Sequence, residues 1–167
     1  MSEQTAAGTD NRKIAPVYIV LEKETLIDAP VSVVWRHALN YPSWQNYSIV
    51  RHVAGEPGQE GEVVYLKKDE LKSPTTAYYA RTIKLEFERR VIWKTYRENV
   101  NYFGIVDFRF YDVGGKTRFC NNSLYEHNVP YTEQREIEEF RKQSYAGMEE
   151  LLASILPKLK ALAESVR

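Results

Sequence analysis

The side chains that could do chemistry are concentrated in the last predicted strand. Every second residue there carries a polar group: Asn121, Ser123, Tyr125 and His127. Because alternate residues of a strand share one face, we predict that these four side chains line one surface. A histidine titrates near neutral pH, so His127 could act as a general acid or base. An equally good interpretation is a strand-end histidine whose ring is satisfied by backbone groups.

The same alternation in the other strands predicts a polar and aromatic interior. The further residues predicted to face inward, or to wall the same cavity, are Trp44, His52, Tyr65, Tyr79, Arg81, Trp93 and Tyr102. Arg81 could bind a ligand carboxylate or phenolate through two hydrogen bonds, or it could pair with a carboxylate in the wall. Unpaired polar groups are costly to bury, whereas aromatic rings offer flat apolar walls. This mixture predicts a wet cavity for an aromatic ligand rather than a dry core.

The sequence lacks the motifs of metal and nucleotide chemistry. It has no HExxH motif and no CxxC pair. Gly55, Gly58 and Gly61 are not followed by the Lys-Ser or Lys-Thr of a phosphate-binding loop. Neither Ser32 nor Ser43 has the surroundings of a nucleophile elbow. We therefore predict no metal and no cofactor.

A long amphipathic helix is predicted over residues 132–166, with Thr132 as its N-cap. Apolar residues recur there at steps of mostly three or four and form one stripe: Ile137, Phe140, Met148, Leu151, Leu152, Ile155, Leu159, Leu162 and Val166. Gly147 is assigned to the same buried stripe, where a missing side chain would admit a ligand or allow a tight helix–sheet contact. A helix of roughly 50 Å must bury its stripe against a broad surface.

Strands fill most of the chain before this helix. They are predicted at residues 17–27, 49–54, 62–70, 78–87, 90–96, 102–112 and 116–128. Two short helices are predicted after the first strand, the first over 31–39 and the second around Tyr41 to Trp44. Consecutive strands with short connections predict an α+β fold, in which a curved antiparallel sheet of six to seven strands surrounds the C-terminal helix.

Length and charge restrict the class of protein. The 167 residues suffice for one domain, which we place at residues 14–167 after a disordered tail at 1–13. The 23 Lys and Arg residues balance 23 Asp and Glu residues, which favours neither nucleic acid nor a membrane surface as a partner. The single Cys120 cannot form an internal disulfide and favours a reducing, cytoplasmic compartment. No apolar segment reaches membrane length.

Three short motifs carry a family resemblance. They are Ile27-Asp28-Ala29-Pro30 with Val34-Trp35, then Tyr41-Pro42 with Trp44, and the turn Gly114-Gly115-Lys116-Thr117-Arg118. Together with the long C-terminal helix they resemble the START-related helix-grip superfamily, often called SRPBCC, over about residues 17–163. The resemblance is to its polyketide cyclase and aromatase branch. It implies the helix-grip fold, whose cavity lies between sheet and helix.

The resemblance leaves functions of different classes open, because this superfamily includes enzymes, carriers, receptors and chaperone activators. An enzyme similar to polyketide cyclases would promote ring closure and loss of water, with His127, or Arg81 with a tyrosine, as the acid–base group. A carrier or sensor would need the cavity alone, and a chaperone-activator-like domain would use an outer surface. The predicted partner is a hydrophobic or aromatic small molecule, without nucleic acid or membrane insertion. A homodimer is one alternative for the oligomeric state.

Overall fold

The computed structural model describes residues 15–45, 47–68, 77–97, 102–131 and 133–166. Its elements are β1 (Ala15–Ile27), α1 (Val31–Leu39), a 3-10 turn (Tyr41–Ser43), β2 (Tyr47–Ala54), β3 (Val63–Lys68), β4 (Ala77–Glu86), β5 (Arg90–Tyr96), β6 (Tyr102–Val113), β7 (Lys116–Val129) and α2 (Gln134–Glu164). The predicted strands and helices therefore exist, and the second short helix is a single 3-10 turn. The predicted N-terminal tail and the predicted N-cap Thr132 lie outside the described residues.

The seven strands form one antiparallel sheet in the order β1-β7-β6-β5-β4-β3-β2. Strands β2 to β7 are neighbours both in sequence and in space, and β1 completes the sheet by pairing with β7 from Ala15↔Val129 to Ile27↔Thr117. Gly114 and Gly115 both have positive φ, 63° and 82°, the conformation that a tight turn between β6 and β7 requires. The predicted fold class is confirmed: the sheet is curved and open, and a long helix follows it.

The main core lies between the inner face of the sheet, α1 and the C-terminal half of α2. Trp35 of α1 packs edge-on against Phe110, with ring centroids 5.1 Å apart. The buried residues of α2 are Leu152, Ile155, Leu156, Leu159 and Ala163. Lys160 Nζ donates a hydrogen bond to the carbonyl of Leu26 at 2.9 Å, and Glu164 accepts one from the backbone N–H of Asp28 at 2.8 Å. These contacts anchor the C-terminal half of α2 at the end of β1.

The N-terminal half of α2 is less firmly packed. No side chain from Gln134 to Leu151 is fully buried, although Phe140 and Met148 are half-buried. Gly147 is exposed, and a Cβ placed there would meet nothing within 4 Å, so its assignment to the buried face is wrong. It lies five residues before the buried Leu152, about 140° around the helix axis at about 100° per residue. No helix in the described part of the chain is long and apolar enough to span a membrane.

Candidate functional site

The polar residues of β7 lie on the inner face of the sheet, as predicted. Asn121 and Ser123 are buried, and the Ser123 hydroxyl donates a hydrogen bond to Asn121 Oδ1 at 2.5 Å. Tyr125 packs against the main core. His127 is half-buried and meets Phe140 of α2 edge-on, with ring centroids 5.4 Å apart. We call these four β7 residues the polar strip; their functional roles remain predictions.

A glycine on β6 makes room for the tyrosine of the polar strip. A Cβ at Gly104 would lie 2.8 Å from the ring of Tyr125 and 2.7 Å from Thr95 Oγ1. Real side chains do not approach this closely, so the ring position of Tyr125 depends on the missing side chain. The sequence contained this signal, because Gly104 is an isolated glycine within a strand, where it marks a close approach.

Burial changes the proton affinity of two groups in the polar strip. It raises the pKa of the Tyr125 hydroxyl, although a hydrogen bond with Ser123 acts in the opposite direction. Tyr125 therefore remains a hydroxyl donor at neutral pH. Burial also lowers the pKa of His127, and the positive charge of Arg97 lowers it further. The imidazole is thus neutral near pH 7 and able to accept a proton.

Aromatic side chains wall the inner face beside the polar strip. Trp93 is buried, as predicted, and packs edge-on against Phe108 with ring centroids 5.1 Å apart. Trp44 is only 1% exposed, and its Nε1–H donates to the carbonyl of Ala38 at 3.3 Å. Since its ring is enclosed and its N–H is satisfied, Trp44 serves the packing of the core in this conformation.

A cavity of about 50 Å³ lies against this wall. Its lining consists of Gln45, Leu66, Tyr78, Ala80, Trp93, Thr95, Val106 and Phe108. The volume holds roughly one or two water molecules, whereas pockets for small organic ligands measure about 300–1,000 Å³. A small cavity is therefore present on the inner face, and Trp93 is the one predicted lining residue among those that line it. A cavity large enough for the ligand stays a prediction.

Three residues predicted to line the cavity lie on the outer face instead. Arg81 is exposed, and its neighbours Ala80 and Thr82 are buried, so the inward orientation predicted for Arg81 and Tyr79 is wrong. Trp93 pairs with Thr82 across β4 and β5, and it is therefore Thr82 that shares its face. The prediction applied inward–outward alternation to each strand separately. The register between β4 and β5 cannot be derived from one strand alone. Tyr65 also faces outward.

The remaining candidates do not join the site. His52 is exposed on β2, where the register with β3 shifts between Ile49 and Arg51 and again between His52 and Ala54. Such irregularities defeat a simple inward–outward alternation. Tyr102 pairs with His127 across β6 and β7, and its side chain lies outside the described part of the structure. Among the described residues, no three His, Cys, Asp or Glu side chains could hold a metal ion.

A larger groove, about 810 Å³, lies at the opposite end of the sheet, between the start of α1 and the two hairpin ends. Its lining consists of Pro30, Val31, Ser32, Glu86, Phe87, Glu88, Arg89, Arg90, Arg109, Phe110, Tyr111, Asp112 and Gly115. Arg90 and Arg109 each approach Asp107 Oδ2 at 2.8 Å. These two hydrogen-bonded guanidinium groups lower the pKa of the Asp107 carboxyl despite its burial. Because both guanidinium groups already donate hydrogen bonds to Asp107, we place the candidate ligand site on the inner face.

Comparison with known proteins identifies the fold. No family model and no curated protein matches the sequence. The aromatase/cyclase from Streptomyces sp. R1128 is 17% identical, with a TM-score of 0.65 over 90% of this chain and 96% of that one. Norcoclaurine synthase from Thalictrum flavum is 11% identical, with a TM-score of 0.63 over 93% and 99%. A Staphylococcus aureus protein of unknown function has 11% identity and a TM-score of 0.71 over 90% and 96%.

These similarities confirm the fold that the sequence motifs indicated. The chain has the helix-grip fold, and its structural neighbours include the aromatase/cyclase named above. At identities of 11% to 17% they establish the fold alone, since one fold supports many functions.

Proposed function

We propose that the protein binds a small hydrophobic, aromatic molecule on the inner face of the sheet, beneath the N-terminal half of α2. The observation that carries this proposal is the polar strip beside the aromatic wall of Trp93 and Phe108. A flat ring would pack against the wall, and its polar substituents would reach the hydroxyl groups of Ser123 and Tyr125.

The ligand needs more room than the present 50 Å³, and the N-terminal half of α2 can supply it. This half is joined to β1 by the ion pair of Lys23 and Glu149, with Nζ and Oε1 2.6 Å apart on the surface. Phe140 of this half contacts the rings of His127 and Tyr131, and Met148 packs, partly buried, against the main core. Exposed ion pairs are weak because water solvates both partners. We infer that this half moves outward when the ligand enters, while the anchored C-terminal half stays in place.

A second function, acid–base catalysis, is favoured by the neutral imidazole of His127. A neutral imidazole could remove a proton next to a ligand carbonyl, and the Tyr125 hydroxyl could donate a hydrogen bond to the oxygen that becomes negative. The enolate carbon of a polyketone would then attack a second carbonyl of the same molecule and form a C–C bond, and the imidazolium would return its proton to the new alkoxide. Removal of a second proton next to the ring hydroxyl, with departure of that hydroxyl as water, would complete the dehydration. Arg81 has no part in this proposal, because it lies on the other face. A carrier or sensor would use the same site without the proton transfer.

Binding can be tested by titrating the protein with 2-naphthol and following tryptophan fluorescence. Ser123→Leu places a larger side chain on the inner face and should weaken binding at least tenfold. Asn122→Leu is the matched control, since Asn122 is its neighbour on the outer face, and binding should stay within about twofold. Val106→Ala enlarges the lined cavity and should strengthen binding. Equal effects at positions 122 and 123, with none at 106, would contradict an inner-face site.

Catalysis is tested separately with His127→Gln. If the protein is an enzyme, turnover of a polyketone should fall about 100-fold or more, because a general base contributes factors of about 10² to 10⁴. Affinity for 2-naphthol should change little. A protein that binds 2-naphthol but turns over no polyketone in either form is a carrier or a sensor.

A further inference from the structure

A row of aromatic rings crosses the outer face of the sheet, with one ring on each strand from β3 to β6. Successive cross-strand partners form it: Tyr65 pairs with Tyr79, Tyr79 with Tyr96, and Tyr96 with Phe103. The ring centroids of the first two pairs are 5.1 and 5.3 Å apart. We call these four residues the aromatic row. Three strand spacings of about 4.8 Å give it a length of about 14 Å.

Four cations flank the aromatic row on the same face. The Arg51 guanidinium lies 5.6 Å from the ring centre of Tyr65, and Lys94 Nζ lies 5.4 Å from that of Phe103. Arg81 pairs with Lys94 across β4 and β5. Lys67 follows Tyr65 by two residues and therefore shares its face. Within the described part of the chain, none of these four cations forms an ion pair with a carboxylate.

Several cations elsewhere on the sheet have carboxylate partners within the protein. Arg90 and Arg109 share Asp107, and Lys84 lies 3.4 Å from Glu86. Like charges directly opposite each other in a sheet are unfavourable, so Arg81 and Lys94 favour an anion that approaches from outside. The net charge of the whole sequence is zero, so this local excess of positive charge becomes apparent only when the strands are paired.

The chemistry of this surface restricts its occupant. A second copy of the chain would bring the same four cations against it and would be repelled. A simple anion would use the cations but not the rings. A polymer that carries a negative charge on every unit and a flat ring beside it would use both. We propose that the aromatic row and its four cations bind single-stranded nucleic acid without reading its sequence, with bases against the rings and phosphates against the cations.

The test is fluorescence anisotropy of fluorescein-labelled dT12 with the full chain. Four phosphate contacts predict that the logarithm of the binding constant falls with the logarithm of salt concentration with a slope of about −2.8. Tyr79→Ala and Tyr96→Ala should each weaken binding about fivefold or more. Tyr18→Ala is the matched control, because Tyr18 is 50% exposed on the same face but outside the row; it should leave binding unchanged.

Charge reversal tests the electrostatic part. Arg81→Glu with Lys94→Glu should reduce the salt slope by about half, and 2-naphthol binding on the inner face should be unaffected, so that the two proposals fail independently. Melting curves establish that each variant is folded. Absence of dT12 binding at low salt would overturn the proposal. So would equal competition by polyglutamate, which carries charge without rings and would indicate an acidic protein surface as the partner.

Discussion

The two faces of the sheet use similar residue types in opposite ways. On the inner face, aromatic rings pack into the core, as Phe108 does, and polar groups such as Ser123 and Asn121 bond to each other. On the outer face, tyrosines lie side by side in a row that water can reach, and Arg51 and Lys94 lie over two rings of that row. The residue type of an aromatic or an arginine therefore does not show on which face of the sheet its side chain lies. The burial of the two neighbouring residues in the strand does show it, because their side chains lie on the opposite face.

The largest expected difference in unfolding free energy is between alanine variants at two phenylalanines of β6. Phe108 is 1% exposed and contacts the rings of Trp44, Trp93 and Phe119, so Phe108→Ala should cost about 3–5 kcal/mol of unfolding free energy. Phe103→Ala removes a half-buried ring of the outer face and should cost about 1 kcal/mol or less. Urea titrations of the two variants measure both values. Comparable losses would mean that the outer row is part of the stabilising core.

A smaller difference in unfolding free energy is expected within α2, between alanine variants at two neighbouring leucines. Leu152 is buried against the core, and Leu152→Ala should cost about 2–4 kcal/mol. Leu151 is 38% exposed, and Leu151→Ala should cost about 0.5 kcal/mol or less. The same urea titration compares them. A large loss at Leu151 would show that α2 also packs through a second face.

The sequence sufficed for the architecture, because each element has its own local signal. The helical spacing of the apolar residues located α2, and β-branched runs between turn residues located the strands. The orientation of the polar strip also followed from alternation, since β7 pairs along β1 without a register shift. Arg81 and Tyr79 were assigned to the wrong face because facing in or out depends on the pairing of β4 with β5. That pairing is a contact between distant residues that no single strand encodes.

Two glycines sharpen the comparison between crowded and open positions. A side chain at Gly104 would collide with Tyr125 and Thr95, so Gly104→Ala should cost about 1–3 kcal/mol. Gly147 lies in a helix with open space around it, so Gly147→Ala should stabilise the protein by up to about 1 kcal/mol. Thermal unfolding of the two variants shows whether each substitution lowers or raises the stability. Destabilisation by Gly147→Ala would show that the first half of α2 packs more closely than its exposure indicates.

The smallest expected effect is the pH dependence that His127 contributes. Its pKa in the folded protein lies below the ordinary value of 6.5, because the ring is half-buried and Arg97 is positively charged. Well above pH 6.5 the ring is neutral in both states and contributes nothing to pH dependence. As the pH falls below 6.5, the unfolded chain takes up the proton first, so stability decreases by at most about 1.4 kcal/mol per pH unit. The decrease ends once the pH passes below the folded-state pKa.

His127→Gln should remove this decrease in stability, and urea titrations between pH 7 and pH 5 measure the difference between the two proteins. Asp107 provides an internal reference: its pKa is lowered from a value of 3.8, so the stability it contributes is lost only at more acid pH. Identical pH profiles for the two proteins would mean that His127 is as accessible to water in the folded state as in the unfolded chain, and that the inner face is open at this end of β7.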